Sequence, residues 1–256
     1  MGEHPALAAY EAFAPIYNEF NHLNDYEMWL GRTLLPELEK QGLKQGRALD
    51  VACGTGRAFV PLLKRGWEVR GCDLSPGMLE RAQSVAAGKV ELDLADMREL
   101  PVYGEFELVF SLNDSVNYLL EDGDLERALA GMRANLADDG LLLFDVNAKS
   151  TYETGAWAPG KRPVEYEGRT WYWHPIGEVR PDIFETRIEG EDVETGFHLE
   201  RFRSEPEIRQ AMTSSGLKCL AALSMTEVDE KVVLHDPADE ANDYKVIYIG
   251  AKAGQG

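Results

Sequence analysis

The stretch ALDVACGTGRAFVPLLKRGWEVRGCDLS, from Ala48 to Ser75, decides the fold. An apolar run of strand type ends on an acid, Asp50, and breaks at Cys53-Gly54-Thr55-Gly56. Helical spacing follows through RAFVPLLKRG and closes at Gly66; a second strand, EVRGCD, then ends on another acid, Asp73. A strand, a glycine-rich turn, a helix and a second strand form a right-handed crossover between parallel strands. A packing element has no need of two glycines and two acids placed at the strand ends. A loop that wraps a ligand does.

Working outward, SPGMLERAQSVAAG reads as a helix with Ser75 as its cap and Pro76 in its first turn. KVELDLAD, FELVFSL and GLLLFDVN are further short strands, the last two separated by the helical DLERALAGMRANLA. Upstream, ALAAYEAFAPIYNEF is a helix broken at Pro15, and DYEMWLGRTLLPELEKQGL is a helix capped at Asn24 or Asp25. After Asn147 the pattern turns to aromatic-rich alternation, as in DIFETRIEGE and GFHLERFR, which predicts antiparallel strands. SEPEIRQAMTSSG restores a helix, and KCLAALSMTEV and DYKVIYIGA read as the final two strands. The fold class is α/β: a doubly wound sheet with a small antiparallel β insertion over residues 148–204. One domain spans residues 1–256, with residues 1–42 as a helical N-terminal segment.

The formal net charge of -19 disfavours nucleic acid and anionic membranes as partners, and a small molecule, above all a cationic one, suits the field better. Three cysteines without a C-x-x-C pair imply a reducing compartment rather than a disulfide framework. The histidines lack metal-ligand spacing, so no metal is expected. No basic-then-apolar leader and no apolar run of membrane length stands in the sequence. The expected location is the cytoplasm.

In an open parallel sheet, ligands bind beyond the carboxyl ends of the strands. Gly54 and Gly56 fall there, where a missing Cβ lets backbone approach a ligand. Asp73 ends the second strand, nineteen residues after Gly54, where a carboxylate can take both hydroxyls of a ribose. The third glycine of a dinucleotide fingerprint is absent, since Phe59 stands in its place. Asp50 would repel a pyrophosphate and welcome an ammonium or sulfonium. The pocket suits a cationic nucleoside.

LDVACGTG, CDLSPGMLERA and LADM together resemble the successive nucleoside-contact motifs of class I S-adenosylmethionine-dependent methyltransferases. The likeness covers roughly residues 7–147, and the order of elements to the end. It implies a Rossmann-like sheet of seven strands with the last antiparallel, and S-adenosyl-L-methionine as cofactor. By the same likeness Asp50, Ala52, Gly54 and Gly56 surround the methionine part and Asp73 holds the ribose. Leu74 and Met78 flank adenine, Asp96 accepts from its amino group and Met97 packs on the ring. Core packing is the alternative for Leu74, Met78 and Met97, and a turn cap for Asp96.

FSLNDSVNYL, after the fourth strand, lacks the Pro-Pro of nucleobase amino methyltransferases; it resembles the loop of glycine, amino-sugar and antibiotic-type N-methyltransferases. That likeness puts Leu112 at the methyl-donor end, Asp114 towards an amine acceptor and Asn117 beside the substrate; an Asx turn is the other reading of Asp114. In the resembled families the N-terminal helices close over the cofactor as a lid. Tyr17 would then stand near the donor methyl, Tyr10 by the substrate and Trp29 by the cofactor, or all three form a packing stripe. The β insertion lies where those families place a substrate cap or dimer contact, which makes His174, His198 and Arg201 candidate substrate contacts. Asp145 and Asn147 are similar to the acid-amide pair of metal-dependent O-methyltransferases, but the partner acid directly ending the fourth strand is missing. The leading expectation is methyl transfer to an amine nitrogen of a small metabolite, as in antibiotic or specialised-metabolite biosynthesis. The rivals are a small-molecule O-methyltransferase and an inactive cofactor-binding fold acting as a partner protein.

Overall fold

A computed structural model describes residues 4–228 and 231–254. The chain begins with α1 (Pro5–Phe13), a single 3-10 turn at Ala14–Ile16 and α2 (Tyr17–Phe20). Pro15 breaks the helix because it carries no amide hydrogen for the ladder. Asp25 caps the next helix by accepting from Met28 N at 3.0 Å. That helix runs as a π-helical segment, Glu27–Leu34, before α3 (Leu35–Lys40).

The main sheet opens with β1 (Arg47–Val51), α4 (Val60–Lys64) and β2 (Glu68–Asp73). Next come α5 (Pro76–Ala86), β3 (Glu91–Leu94), β4 (Phe106–Ser111), α6 (Asp124–Ala134) and β5 (Leu136–Asn147). Ser75 Oγ caps α5 by accepting from Met78 N at 3.0 Å. β1 is buried along all but its first residue, the signature of a strand covered on both faces. α6 stops three residues earlier than the sequence pattern predicts. Asn135 accounts for this: its Oδ1 accepts from Tyr103 N at 2.7 Å and its Nδ2 donates to Pro101 O at 2.9 Å, so Leu136 is free to start β5.

The insertion contains α7 (Lys149–Glu153), then β6 (Arg162–Tyr166), β7 (Arg169–Arg180), β8 (Ile183–Gly190) and β9 (Val193–Arg201). These four strands form a separate antiparallel sheet in sequence order. α8 (Glu205–Ser214), β10 (Leu217–Val228), β11 (Lys231–His235) and β12 (Lys245–Lys252) complete the chain. The main sheet has the order β11-β10-β12-β5-β4-β1-β2-β3, with β12 antiparallel to both neighbours. Among the described residues it has eight strands where seven were expected. The extra one, β11, folds back on β10 as an edge hairpin and leaves the doubly wound core unchanged.

The small sheet and the N-terminal helices share one hydrophobic core. Trp171 and Ile188 pack with Phe13, Ile16, Phe20 and the wholly buried Met78. Truncating a buried tryptophan such as Trp171 to alanine costs roughly 3–5 kcal/mol. This packing stacks the helices and β9 over the carboxyl ends of β1, β2 and β4, and the space beneath them is the site.

Candidate cofactor and acceptor site

A cavity lies beyond the ends of β1, β2 and β4. Asp50, Ala52, Gly54, Asp73, Leu74, Asp96, Met97 and Leu112 of the sequence-derived cofactor set line it, as do Tyr10 and Tyr17. Gly56, Met78, Trp29, Asp114, Asn117, His174, His198 and Arg201 are not on its wall.

The glycine turn is held from both strands. Cys53 N donates to Cys72 O at 2.9 Å, and Gly54 N donates to Asp73 Oδ2 at 2.8 Å. Ser75 N donates to Asp73 Oδ1 at 2.9 Å. Ala52 has a φ of 60°, a left-handed conformation that a non-glycine residue adopts only when its surroundings enforce it.

The two glycines differ in kind. A Cβ on Gly54, at φ +54°, would meet nothing within 4 Å and would stand in the cavity. A Cβ on Gly56 would lie 2.8 Å from Phe59 Cε1 and closer still to the ring tip. Gly56 thus packs against Phe59, off the cavity wall, whereas the sequence likeness implies a place beside the methionine part. Phe59 fills the space that Gly56 leaves open.

Asp50 is buried, and its Oδ2 has no hydrogen-bond partner. Burial, and then the nearby Asp73, push its carboxyl well above the usual range. An ammonium in the cavity would satisfy the orphaned oxygen and restore the charge. Burial also raises Asp73, against the opposing hydrogen bonds from Ser75, Gly54 and Leu74 backbone amides. S-adenosylmethionine fits these residues: an unpartnered buried carboxylate for its amino group, a strand-end carboxylate for its ribose, and a gap at Gly54 that a side chain would fill.

At the opposite end, Asp96 accepts from Arg98 N at 2.9 Å and from the Arg98 guanidinium at 2.5 Å. Burial works against its ionised form, but Arg98 prevails and holds the carboxyl below its ordinary value. Asp96 thus faces the cavity with part of its acceptor capacity already taken. Met78 lies in the core beneath, among Phe13, Tyr17 and Phe20. That corrects its placement against the adenine ring. His4 reaches the same end and caps α1, its Nδ1 accepting from Ala6 N at 3.0 Å.

The N-terminal elements close the cavity. Arg57 donates to Asn21 O at 2.8 Å and Asn24 O at 2.7 Å, and Thr55 Oγ1 donates to Asn18 Oδ1 at 2.7 Å. The glycine turn and the helices over it are thereby tied together. Tyr10, Tyr17, Tyr26 and Tyr118 form an aromatic wall; the Tyr10 and Tyr118 ring centroids are 5.2 Å apart. Burial, helped by the charge of Asp114, pushes the Tyr17 phenol up to about 12. Trp29 packs beside Tyr26 at 6.0 Å between centroids and belongs to the core under the wall.

The loop after β4 contributes Leu112, Asn113 and Ser115 to the wall. Asp114 instead pairs with Lys245, so it is not the free carboxylate expected for an acceptor amine. Asn117 is buried: its Nδ2 donates to Tyr152 OH at 3.1 Å and Arg201 O at 3.0 Å, and its Oδ1 accepts from Asn147 N at 3.2 Å. His198 stands behind Tyr118, with Nδ1 3.0 Å from the Tyr118 hydroxyl, and burial lowers it to about 4. Arg201 donates to Leu120 O at 2.9 Å, and His174 pairs with Glu189 at 3.0 Å on the small sheet. None of these four residues lines the cavity: Asn117, His198 and Arg201 pack behind its wall, and His174 lies out on the small sheet. Among the described residues no group of three or more His, Cys, Asp or Glu can hold a metal ion, and no helix is long and apolar enough to cross a membrane.

Sequence reasoning missed His4, Tyr26, Arg57, Asn113, Tyr118 and Lys245. Arg57, directly after Gly56, and Asn113 and Tyr118, inside the FSLNDSVNYL loop, carried a local signal. The others reach the site from elements whose packing no spacing reveals.

Residues 48–140 match the methyltransferase domain family. A chain from Geobacillus sp. (strain WCH70) named as a methyltransferase is 39% identical over 149 residues; the match covers 56% of this chain and 59% of that protein's length. The solved structure of an S-adenosylmethionine-dependent methyltransferase from Clostridium acetobutylicum ATCC 824 superposes with a TM-score of 0.77 at 22% identity, covering 96% of this chain and 99% of that one. The sugar N-methyltransferase KedS8 from Streptoalloteichus sp. superposes with a TM-score of 0.68 at 19% identity, covering 94% and 92%. The chain has the α/β fold of that solved S-adenosylmethionine-dependent methyltransferase, and residues 48–140 match the methyltransferase domain model.

Proposed function

We propose, on the premise that residues 48–140 form a methyltransferase domain, that this chain transfers a methyl group from S-adenosylmethionine to an amine nitrogen of a small metabolite. The observation that carries the reading is the cavity in which the orphaned Asp50 oxygen, the open space at Gly54 and the strand-end Asp73 converge. The cofactor supplies an electrophilic methyl on a sulfonium. The protein's part is placement, since in-line displacement depends on nucleophile, carbon and sulfur being aligned. Asp50 orients the amino end and Asp73 the ribose, while Leu74, Asp96 and Met97 bracket the base. Tyr17 presents a hydroxyl that stays protonated, and its oxygen can accept weak contacts from a polarised methyl.

Two features support nitrogen. The wall of Tyr10, Tyr17, Tyr26 and Tyr118 offers ring faces to a cationic product, and such faces attract ammonium groups. The solved sugar N-methyltransferase superposes over 94% of this chain, and its named reaction is on nitrogen. We read residues 1–42 as a lid and residues 148–204 as the cap. The acceptor belongs to specialised metabolism, including antibiotic biosynthesis, and the setting is cytoplasmic. The small sheet exposes Tyr172, Val179 and Phe197, a face for a second copy that light scattering would reveal as a dimer.

The test is transfer of labelled methyl to a panel of amino sugars, amino acids and their hydroxyl analogues, with mass spectrometry locating the methyl. Methylation of nitrogen upholds the proposal. Methylation confined to oxygen replaces it with O-transfer, and binding of S-adenosylhomocysteine without turnover on any acceptor points to an inactive fold.

A further inference from the structure

Asn113 and Asp114 are consecutive non-glycine residues at φ of 66° and 58°. Such a pair persists only where neighbours over-determine it. Asp145, buried at the end of β5, supplies the constraint: Oδ1 accepts from Asn113 N at 2.6 Å and Oδ2 from Asp114 N at 2.9 Å. Lys245, buried at the start of β12, places Nζ 2.7 Å from Asp145 Oδ2 and in contact with Asp114 Oδ1. Three segments far apart in sequence meet at one ammonium.

Two carboxylates this close do not both stay ionised without a counter-charge. Among the described residues, the other titratable groups that face Asp114 supply no positive charge at neutral pH. From β9 these are Glu200 and His198, from α7 Tyr152, from the loop after β4 Tyr118, and from the N-terminal segment Tyr10, Tyr17 and Tyr26. Glu200 Oε2 accepts from Tyr152 OH at 2.8 Å and Asn147 Nδ2 at 2.7 Å, and its carboxyl reaches Asp114, where a side-chain hydrogen bond favours the protonated form. Burial and the Asp114 charge favour a neutral Glu200, and a buried His198 is neutral as well. Lys245 is the cation of this set.

We propose that Lys245 is a positioning residue: by bridging the Asp114 and Asp145 carboxylates it locks the left-handed Asn113–Asp114 turn, and with it the Leu112, Asn113 and Ser115 wall of the cavity. The link to ligand binding rests on the methyltransferase reading; the locking of the turn does not.

The experiment pairs hydrogen exchange of the peptide containing Asn113 and Asp114 with calorimetry using S-adenosylhomocysteine. Each variant is compared with the unmodified chain at the same pH. At pH 8, Lys245→Met should speed exchange at those amides at least tenfold and weaken binding at least tenfold. At pH 5.5 both deficits should shrink to within threefold, because the Asp145 carboxyl, which burial raises, then takes up a proton in place of the lost charge. The double variant Asp114→Asn/Lys245→Met removes one charge of each sign and should exchange within threefold of the unmodified chain at both pH values. Unchanged exchange in Lys245→Met at pH 8 would overturn the proposal, and so would faster exchange with unchanged affinity. If Lys245→Met does not fold, the double variant decides: slow exchange upholds the role, and fast exchange removes it. An unmodified chain that binds no S-adenosylhomocysteine sinks the functional reading alone, and the exchange arm still tests the turn.

Discussion

Gly54 N donates to Asp73 Oδ2 at 2.8 Å, joining the end of β1 to the end of β2 across nineteen residues. One carboxylate thereby shapes the glycine turn and presents itself to the cavity. Asp73→Ala should weaken S-adenosylhomocysteine binding by about 2–4 kcal/mol, through the loss of charge-assisted hydrogen bonds. It should also lower stability by about 1–3 kcal/mol, since Gly54 N and Ser75 N lose their acceptor. Calorimetry reads the first effect and thermal unfolding the second. Unchanged affinity would remove Asp73 from the binding set.

Gly54→Val and Gly56→Val, alike on paper, should behave differently. At Gly54 the added methyls enter the cavity, so binding should be lost from a protein that still folds, at the cost of strain of about 1–2 kcal/mol at its positive φ. At Gly56 they strike Phe59, so the melting temperature should fall much further. Circular dichroism melts would separate the two. Equal melting temperatures would contradict the packing role of Gly56.

Asp50 predicts a pH dependence of definite sign. Its folded-state value lies above the unfolded one, so its contribution to stability is full at low pH and is lost as pH rises through the raised value. Asp50→Asn should therefore stabilise the unliganded chain by about 1–3 kcal/mol at pH 8, with the gain disappearing towards pH 4. In the unmodified chain a bound ammonium lowers the Asp50 value and releases a proton, so cofactor affinity should rise with pH. Calorimetry in buffers of differing ionisation enthalpy would count that proton. Proton uptake on binding would reverse the assignment.

Tyr17, at about 12, keeps its hydroxyl proton throughout the working range. Tyr17→Phe should lower kcat about 3- to 30-fold through loss of an interaction made mainly in the transition state, with cofactor affinity nearly intact. The pH–rate profiles of the two forms should share their shape below pH 10. A basic limb near pH 9 that vanishes in Tyr17→Phe would identify the hydroxyl as a titrating group instead.

The sequence by itself determined the doubly wound sheet and its binding edge. Strand ends, turn glycines and acids are local features, and Asp50, Gly54 and Asp73 occupy adjacent strand ends whatever the rest of the chain does. The number of strands was less legible, because β11 is a five-residue edge hairpin whose pairing follows from β10 rather than from its own pattern. Tertiary structure alone separated Gly54 from Gly56, since only the placed Phe59 ring shows which missing Cβ is filled by protein. It also withdrew Asp114 from the acceptor and gave it to Lys245, 131 residues away. A buried carboxylate takes its role from the charge that packing brings beside it, and spacing along the chain carries no information about that partner.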